Sequence, residues 1–450
     1  MREIVLHDTL SGARRPLEPR DPGKVGIYAC GPTVYGRIHV GNARPYVVFS
    51  VLKRFLEHEG YGVNFVANIT DVNDKIYDAA REQGVPSAQL AQEMTAAYLA
   101  DTEGLGLGRP DHEPLASETI GPIVDLIQAL IDRGHAYVAD GDVYFRVRSY
   151  DDYGELSHRD IEQMDQGEGV EGADRKEDPL DFALWKATKE GEDTSWPAPW
   201  GEGRPGWHIE CSAMAEQILG LDFDIHGGGS DLVFPHHENE AAQTRAARGK
   251  PLARLWMHNG MVQMGEEKMA KSVGNIRLLH VALEQFGRDA LVMYLLDGHY
   301  RQPLAFSEEL LEEAGARVQR VREAARRLVP GDSPDDLVPL RDRFFAALAE
   351  DFGTPAALGA LFEWVREANK RERVGDSHLR EMLGVLGLEN LLETPEPEVD
   401  AEARELHERR ERARAERDFE EADRLRDELV ARGWDVRDGP DGPELVRRAS

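Results

Sequence analysis

Short apolar runs alternate with apolar residues at three- and four-residue steps along the first part of the chain. Residues 25–29 are apolar and read as a buried strand, which ends on Cys30 and breaks at Gly31-Pro32. After His39-Val40-Gly41-Asn42, the residues Val47, Val48, Val51, Leu52, Phe55 and Leu56 recur at helical spacing and predict a helix over 43–57. A second strand is expected at 63–68, running into a polar loop. Strand, helix and strand make a βαβ unit, hence a parallel sheet with ligands at the strand carboxyl ends. The G-x-G-x-x-G dinucleotide fingerprint does not follow the first strand. The corner instead places a thiol and an imidazole beside a helix amino end, where free N–H groups and the dipole favour an anion.

Helices follow at 76–83 and 87–105, and the texture then changes from about 115 to 205. A helix at 117–133 precedes two strands about Asp140-Gly141, a hairpin signal. Residues 162–180 are acidic and 196–200 are proline-rich, so the span reads as an insertion between two halves of the sheet. The sheet resumes near 206. A helix is expected to run to Leu219, then a strand at 223–226 followed by Gly227-Gly228-Gly229-Ser230-Asp231. Phe234-Pro235-His236-His237-Glu238-Asn239-Glu240 opens a helix to Ala247, and another strand lies at 255–258. Residues 262–275 carry a lysine-bearing loop, and the chain beyond Arg277 is helical to about 392. A Pro/Glu-rich linker leads to a last module, where Phe419, Ala422, Leu425 and Leu429 mark one helix face before Gly433 and a hairpin at 438–442.

The expected fold class is α/β: a Rossmann-like parallel-sheet nucleotide-binding domain, split by an α+β insertion, then a helical bundle and a small C-terminal α+β module. The expected boundaries are 1–114 and 206–261 for the two halves of the catalytic domain and 115–205 for the connective insertion. The lysine-loop region covers 262–306, the bundle 307–392 and the last module 393–450.

Composition narrows this picture. An apolar fraction of 41% over 450 residues supports two to four packed domains. No eighteen-residue apolar stretch or secretion signal is visible, so no membrane partner is expected. Two cysteines exclude a disulfide scaffold and fit a reducing, cytoplasmic setting. The net charge of −30 disfavours indiscriminate attraction to nucleic acid, so such a partner must be bound by local placement.

Two signals carry chemistry. Cys30, Cys211 and the pair His236/Glu240 are soft-to-borderline donors on loops and helix starts of the sheet. Positions 236 and 240 share a helix face, which favours His236 over His237, with His237/Glu240 as the alternative. Two thiolates, an imidazole and a carboxylate suit zinc. Inert thiols or a Cys30–Cys211 disulfide are the competing readings. The second signal is Lys268-Met269-Ala270-Lys271-Ser272, two cations three residues apart near glycines, suited to closing over polyphosphate.

His39-Val40-Gly41-Asn42 and Lys268-Met269-Ala270-Lys271-Ser272 resemble the HIGH and KMSKS signatures of class I aminoacyl-tRNA synthetases. Asn42 stands for the last histidine and Ala270 for the middle serine. Cys30-Gly31-Pro32-Thr33-Val34-Tyr35, Gly206-Trp207-His208-Ile209-Glu210-Cys211-Ser212 and the 235–240 stretch are similar to the cysteinyl-tRNA synthetase family. The resemblance implies activation of L-cysteine with ATP, then transfer to tRNA-Cys, by a chain expected to be a monomer. It implies one Zn²⁺ per chain on Cys30, Cys211, His236 and Glu240, and Mg²⁺ with ATP. His39, Asn42, Lys268 and Lys271 would serve catalysis. Gly41, Gly228, Gly229, Asp231, Lys271 and Ser272 would hold ATP, with Gly227 also letting adenosine approach. Gly31, Thr70 and Trp207 would line the cysteine pocket. No editing domain is expected.

By the same resemblance, 262–306 contacts the tRNA stem, 307–392 binds tRNA and 393–450 reads the anticodon, with Trp434 as a stacking platform. Residues 401–450 hold twelve arginines and fifteen acids, so the arginines either track phosphates or pair with neighbouring acids. A related ligase joining cysteine to an amino-sugar and a non-catalytic RNA-binding paralogue are the rival readings.

Overall fold

The computed structural model describes residues 2–164, 174–264, 267–268, 277–393, 401–416, 418–439 and 442–447. The chain divides into two compact units, Met1–Glu389 and Asn390–Ser450. In the first, β1 (Val5–Asp8) and β2 (Ala13–Pro16) form an antiparallel ribbon before β3 (Lys24–Ala29). The helix α1 (Val40–His58) joins β3 to β4 (Gly62–Ala67). It starts at Val40 rather than near 43, because the Asn42 side-chain oxygen accepts the His39 N–H at 3.2 Å and closes the first turn. Two helices follow, α2 (Asp74–Gln83) and α3 (Ser87–Glu103).

The insertion begins with α4 (Ile120–Asp132), whose Ile123, Leu126, Ile127 and Leu130 form a buried stripe. Each such side chain contributes about 1.5–3 kcal/mol on burial. The strands β5 (Ala136–Ala139), β6 (Asp142–Phe145), β7 (Phe182–Ala187) and β8 (Gly203–Pro205) form one antiparallel sheet in that order. The expected hairpin is therefore half of a four-stranded sheet. The short β8, Gly-Arg-Pro, carries no apolar alternation by which to read it.

The chain then returns through α5 (Trp207–Leu219), β9 (Phe223–Gly229), α6 (Glu238–Arg248) and β10 (Ala253–Asn259). The central sheet has the order β10-β9-β3-β4 and is parallel throughout. Beyond it, β11 (Val262–Met264) and β12 (Glu267–Lys268) pair where only a loop is expected, and β11 also pairs with β13 (Leu304–Ala305), in a stretch expected to be helical. The helices α7 (Leu279–Phe286), α8 (Arg288–Asp297), α9 (Glu308–Ala325), α10 (Val338–Ala349), α11 (Thr354–Ala368) and α12 (Ser377–Leu386) complete the first unit.

In the second unit, α13 (Ala401–Ala415), α14 (Phe419–Ala431) and the hairpin β14 (Trp434–Gly439) and β15 (Gly442–Arg447) enclose Leu406, Leu425, Leu429 and Trp434. Phe419 is 63% exposed, so the expected face is formed by Ala422, Leu425 and Leu429 alone. No helix of the described residues is long and apolar enough to cross a membrane.

Candidate functional site

The carboxyl ends of β3 and β9 and the amino-terminal part of α5 converge with the turn that precedes α6. There Cys30 Sγ lies 3.6 Å from His236 Nε2 and 3.5 Å from Glu240 Oε1, and His236 Nε2 lies 3.1 Å from Glu240 Oε1. Cys211 joins them, and the four donor atoms lie within 4.8 Å of one another, all on buried residues. Tetrahedral zinc with bonds of about 2.0–2.3 Å spaces its donors about 3.3–3.8 Å apart, so the set fits such an ion. Both cysteines are free thiols, not a disulfide.

His236 and Glu240 do meet as an i,i+4 pair, at 3.1 Å, but the i,i+3 pair His237/Glu240 approaches as well. Phe234 is extended (φ −137°, ψ 134°), so Val233–His237 is a wide π-type turn ahead of α6. His237 Nε2 also reaches Cys30 Sγ, at 3.3 Å, and lies 3.8 Å from Glu240 Oε1. A second quartet, Cys30, His226, His237 and Glu240, also has its four donor atoms within 4.8 Å of one another.

Sequence reasoning missed the groups behind these donors. His208 Nδ1 sits 3.0 Å from His236 Nδ1, and His226 Nε2 sits 2.9 Å from Glu240 Oε2. Such partners fix ring orientation and hold the ligand atom toward a metal. Burial pushes His208, His236 and His258 down to about 3 and His237 well below the ordinary histidine range, so their lone pairs are available at neutral pH. Burial, then the adjacent Cys211, pushes the Cys30 thiol well up. His226 lies in the middle of β9 and His258 near the carboxyl end of the adjacent parallel β10.

Beside this cluster, Gly31 N–H donates to Asn68 Oδ1 at 3.0 Å. A Cβ at Gly31 would lie 1.7 Å from the Asn68 carbonyl oxygen, so only glycine fits. Thr70 is buried, and its backbone accepts from Val34 N–H and donates to Pro32 O. Trp207 stacks on His236 with ring centroids 4.3 Å apart at 18°. Trp207 and Thr33 line one cavity of about 300 Å³ together with Lys75, Lys186 and Arg204.

His39 precedes the first turn of α1, and a Cβ at Gly41 would meet its ring at 2.9 Å. Val40 N–H donates to Arg277 O and Leu279 N–H to Ile38 O, which ties the segment after the lysine motif to this helix end. Lys268 lies on β12, while Lys271 and Ser272 lie outside the described residues. Gly228 and Gly229 end β9, and Asp231 is exposed in the turn after it. The room at Gly227 is filled by the Phe49 ring of α1, so packing rather than a nucleotide accounts for that glycine.

Comparison with known proteins decides the family. Residues 16–316 match the model of the class I (C) tRNA synthetase catalytic domain, 343–390 the DALR domain, and 396–444 the cysteinyl-tRNA ligase anticodon binding domain. The chain is 48% identical over 457 residues to the cysteine–tRNA ligase of Alkalilimnicola ehrlichii, covering 97% of this chain and 98% of that one. The chain belongs to the cysteinyl-tRNA synthetase family. The cysteine–tRNA ligase of Caldicellulosiruptor saccharolyticus is 44% identical over 462 residues, covering 98% and 99%. Methionyl-tRNA synthetase of Mycobacterium tuberculosis, solved with methionyl-adenylate, shares the fold with a TM-score of 0.61 at 17% identity, covering 82% and 89%.

For a cysteinyl-tRNA synthetase the second unit departs from expectation in one respect. Trp434 is fully buried among Leu406, Leu425 and Leu429, so it is a core residue and not a stacking platform. Several of its arginines meet acids: Arg424 pairs with Glu421 and Glu428, Arg432 with Glu402, and Arg410 with Glu411.

Proposed function

We propose that this chain activates L-cysteine with ATP to cysteinyl-adenylate and pyrophosphate, then passes the cysteinyl group to the 3′ end of tRNA-Cys. The observation that carries this reading is the convergence of Cys30, Cys211, His236 and Glu240. In the proposed assignment these four hold one Zn²⁺ per chain, and Mg²⁺ accompanies ATP. Bound zinc supplies a Lewis acid that favours a sulfur ligand as thiolate.

The first step is in-line attack of the cysteine carboxylate on the α-phosphorus, with pyrophosphate leaving. Catalysis is then mainly positioning and charge stabilisation. His39, Asn42 and the α1 amino end meet the phosphates, with Lys268 and Lys271 as opposing cations. Gly41, Gly228, Gly229 and Ser272 let the nucleotide approach, and Asp231 accepts from the ribose. Gly31, Thr70 and Trp207 bound the cysteine pocket. An apolar pocket discriminates close isosteres by only about 1–3 kcal/mol, so a sulfur-seeking ion supplies what shape cannot.

The proposed domain roles follow the boundaries 1–114, 115–205, 206–261, 262–306, 307–392 and 393–450, with anticodon reading in the last and tRNA binding in the one before. The chain is proposed to act as a cytoplasmic monomer. The test is cysteine-dependent exchange of pyrophosphate into ATP, combined with zinc content and a serine control. Cysteine-specific exchange with one zinc per chain is expected, and equal activation of serine, or an active metal-free protein, would refute the reading. Truncation after Glu389 should spare exchange and impair charging of tRNA-Cys; undiminished charging would remove the anticodon role.

A further inference from the structure

We infer that the cluster contains a second, overlapping seat for a divalent cation, built from Cys30, His226, His237 and Glu240. This inference rests on the metal reading above and extends it to two histidines that reading leaves unused.

Three observations carry it. Cys30 Sγ is closer to His237 Nε2, at 3.3 Å, than to His236 Nε2, at 3.6 Å. Glu240 turns its oxygens to different histidines, Oε1 to His236 at 3.1 Å and His237 at 3.8 Å, and Oε2 to His226 at 2.9 Å. The four donor atoms of this quartet lie within 4.8 Å of one another on buried residues, as do those of the first.

The far side of His237 is also held as a ligand's is. Its Nδ1 lies 2.7 Å from His258 Nε2, and His258 Nδ1 lies 2.7 Å from Thr9 Oγ1. Such a partner orients an imidazole toward a metal. His226 is the weaker member, because its Nε2 must give up the 2.9 Å hydrogen bond to Glu240 Oε2 before it can ligate, and its Nδ1, which would then carry the proton, is buried without a partner.

The two seats share Cys30 and Glu240, so one ion uses one seat at a time. The first offers two sulfurs, one nitrogen and one oxygen. The second offers one sulfur, two nitrogens and one oxygen, a set that still suits zinc or cobalt but is less thiophilic. The first seat therefore dominates while both thiolates are present. The second takes the ion when Cys211 or His236 cannot ligate.

The experiment compares zinc retained after dialysis, and cobalt absorbance, in wild type, Cys211→Ala and Cys211→Ala/His237→Ala. Wild type should retain one ion, and Cys211→Ala should also retain one, bound at least about tenfold more weakly. The thiolate-to-cobalt charge-transfer band should fall to about half in Cys211→Ala, since one sulfur remains. The double variant should lose the ion, and Cys211→Ala/His226→Ala should lose less of it. His237→Ala alone should keep one ion.

A Cys211→Ala protein with native circular dichroism but no metal would overturn the second seat while leaving the first. So would a double variant that binds as Cys211→Ala does, because three original ligands would then suffice. If Cys211→Ala does not fold, His236→Ala probes the same seat from the other side. A wild type without metal would remove both seats.

Discussion

The insertion sheet and the carboxyl end of the parallel sheet bury polar chemistry in opposite ways. In the antiparallel insertion sheet each buried ionic group is matched. Asp181 Oδ1 accepts Val147 N–H at 2.9 Å and Oδ2 accepts the Tyr137 hydroxyl at 2.7 Å. Asp142 receives Ala187 N–H, Tyr144 OH and Arg175, and Arg204 is gripped by Asp74 and Glu192. The parallel sheet also matches Asp224 to backbone N–H groups, but toward its carboxyl end thiols, imidazoles and a carboxylate are buried with their donor atoms facing one another. Matched pairs satisfy the fold and need nothing more. Converging lone pairs are completed by a cation, and a parallel sheet favours that because its strand ends open on the same side.

The largest effect should come from exchanging one residue in each region. Cys30→Ala should lower cysteine-dependent pyrophosphate exchange more than about 100-fold and strip the zinc, since loss of even a supporting group around a metal costs 10–100-fold. Its urea midpoint, measured without metal, should change little. Asp181→Ala should do the reverse. It leaves a buried N–H and a hydroxyl unpaired, at a cost of about 3 kcal/mol, while exchange per folded molecule stays within about twofold of wild type. Comparable stability losses in both variants would erase the contrast.

Acid should separate the regions next. Burial holds His208, His236 and His258 down to about 3, against about 6.5 for an unfolded histidine. Between those values the unfolded chain binds more protons than the folded one. Stability is therefore present above about 6.5 and falls as the pH drops, by up to about 1.4 kcal/mol per pH unit for each group. Asp74 behaves differently: burial alone would raise it, but Arg204 and Lys186 hold it below the usual carboxylate range. Its contribution is present above about 3.9 and is lost only as the pH falls below that. Urea midpoints of chelator-treated protein should drop between pH 7.5 and 5.5. A flat profile would mean the histidines titrate normally.

Legibility in the sequence follows the same division. The βαβ corner with Cys30 was readable because apolar runs and helical spacing mark buried strands and an amphipathic helix. The Cys30, Cys211, His236 and Glu240 set was reached through residue chemistry and resemblance, and the structure brings those donors together. His208, His226 and His258 were not readable singly, because a histidine inside an apolar element carries no periodic signature. The spacing argument puts His236 on the Glu240 face, at 3.1 Å, but gives no sign that His237 also comes within 3.3 Å of Cys30 Sγ. β2 and β8 escaped because Ala-Arg-Arg-Pro and Gly-Arg-Pro show no alternation. The stacking role of Trp434 follows from the resemblance alone; a lone aromatic in a hairpin gives no sign of which side it faces, and this one is core.

The smallest effects should come from one chemical change made twice. Gly41→Ala places a methyl 2.9 Å from the His39 ring, tighter than side chains tolerate, so the ring or the helix turn must shift. Gly121 lies in the first turn of α4 in the insertion, and a Cβ there meets nothing within 4 Å. Gly121→Ala should stabilise by about 0.4–1 kcal/mol by restricting the unfolded chain, with exchange kinetics unchanged. Gly41→Ala gains the same backbone term but displaces a group beside the phosphates, where a shift of a few tenths of an ångström is felt in the transition state. Its kcat for exchange should fall about threefold to tenfold with KM for cysteine nearly constant, because the pocket around Thr70 and Trp207 is untouched. If KM rose instead, His39 would belong to cysteine binding rather than to the phosphates. If neither constant moved, the close packing of Gly41 against His39 would have no bearing on catalysis.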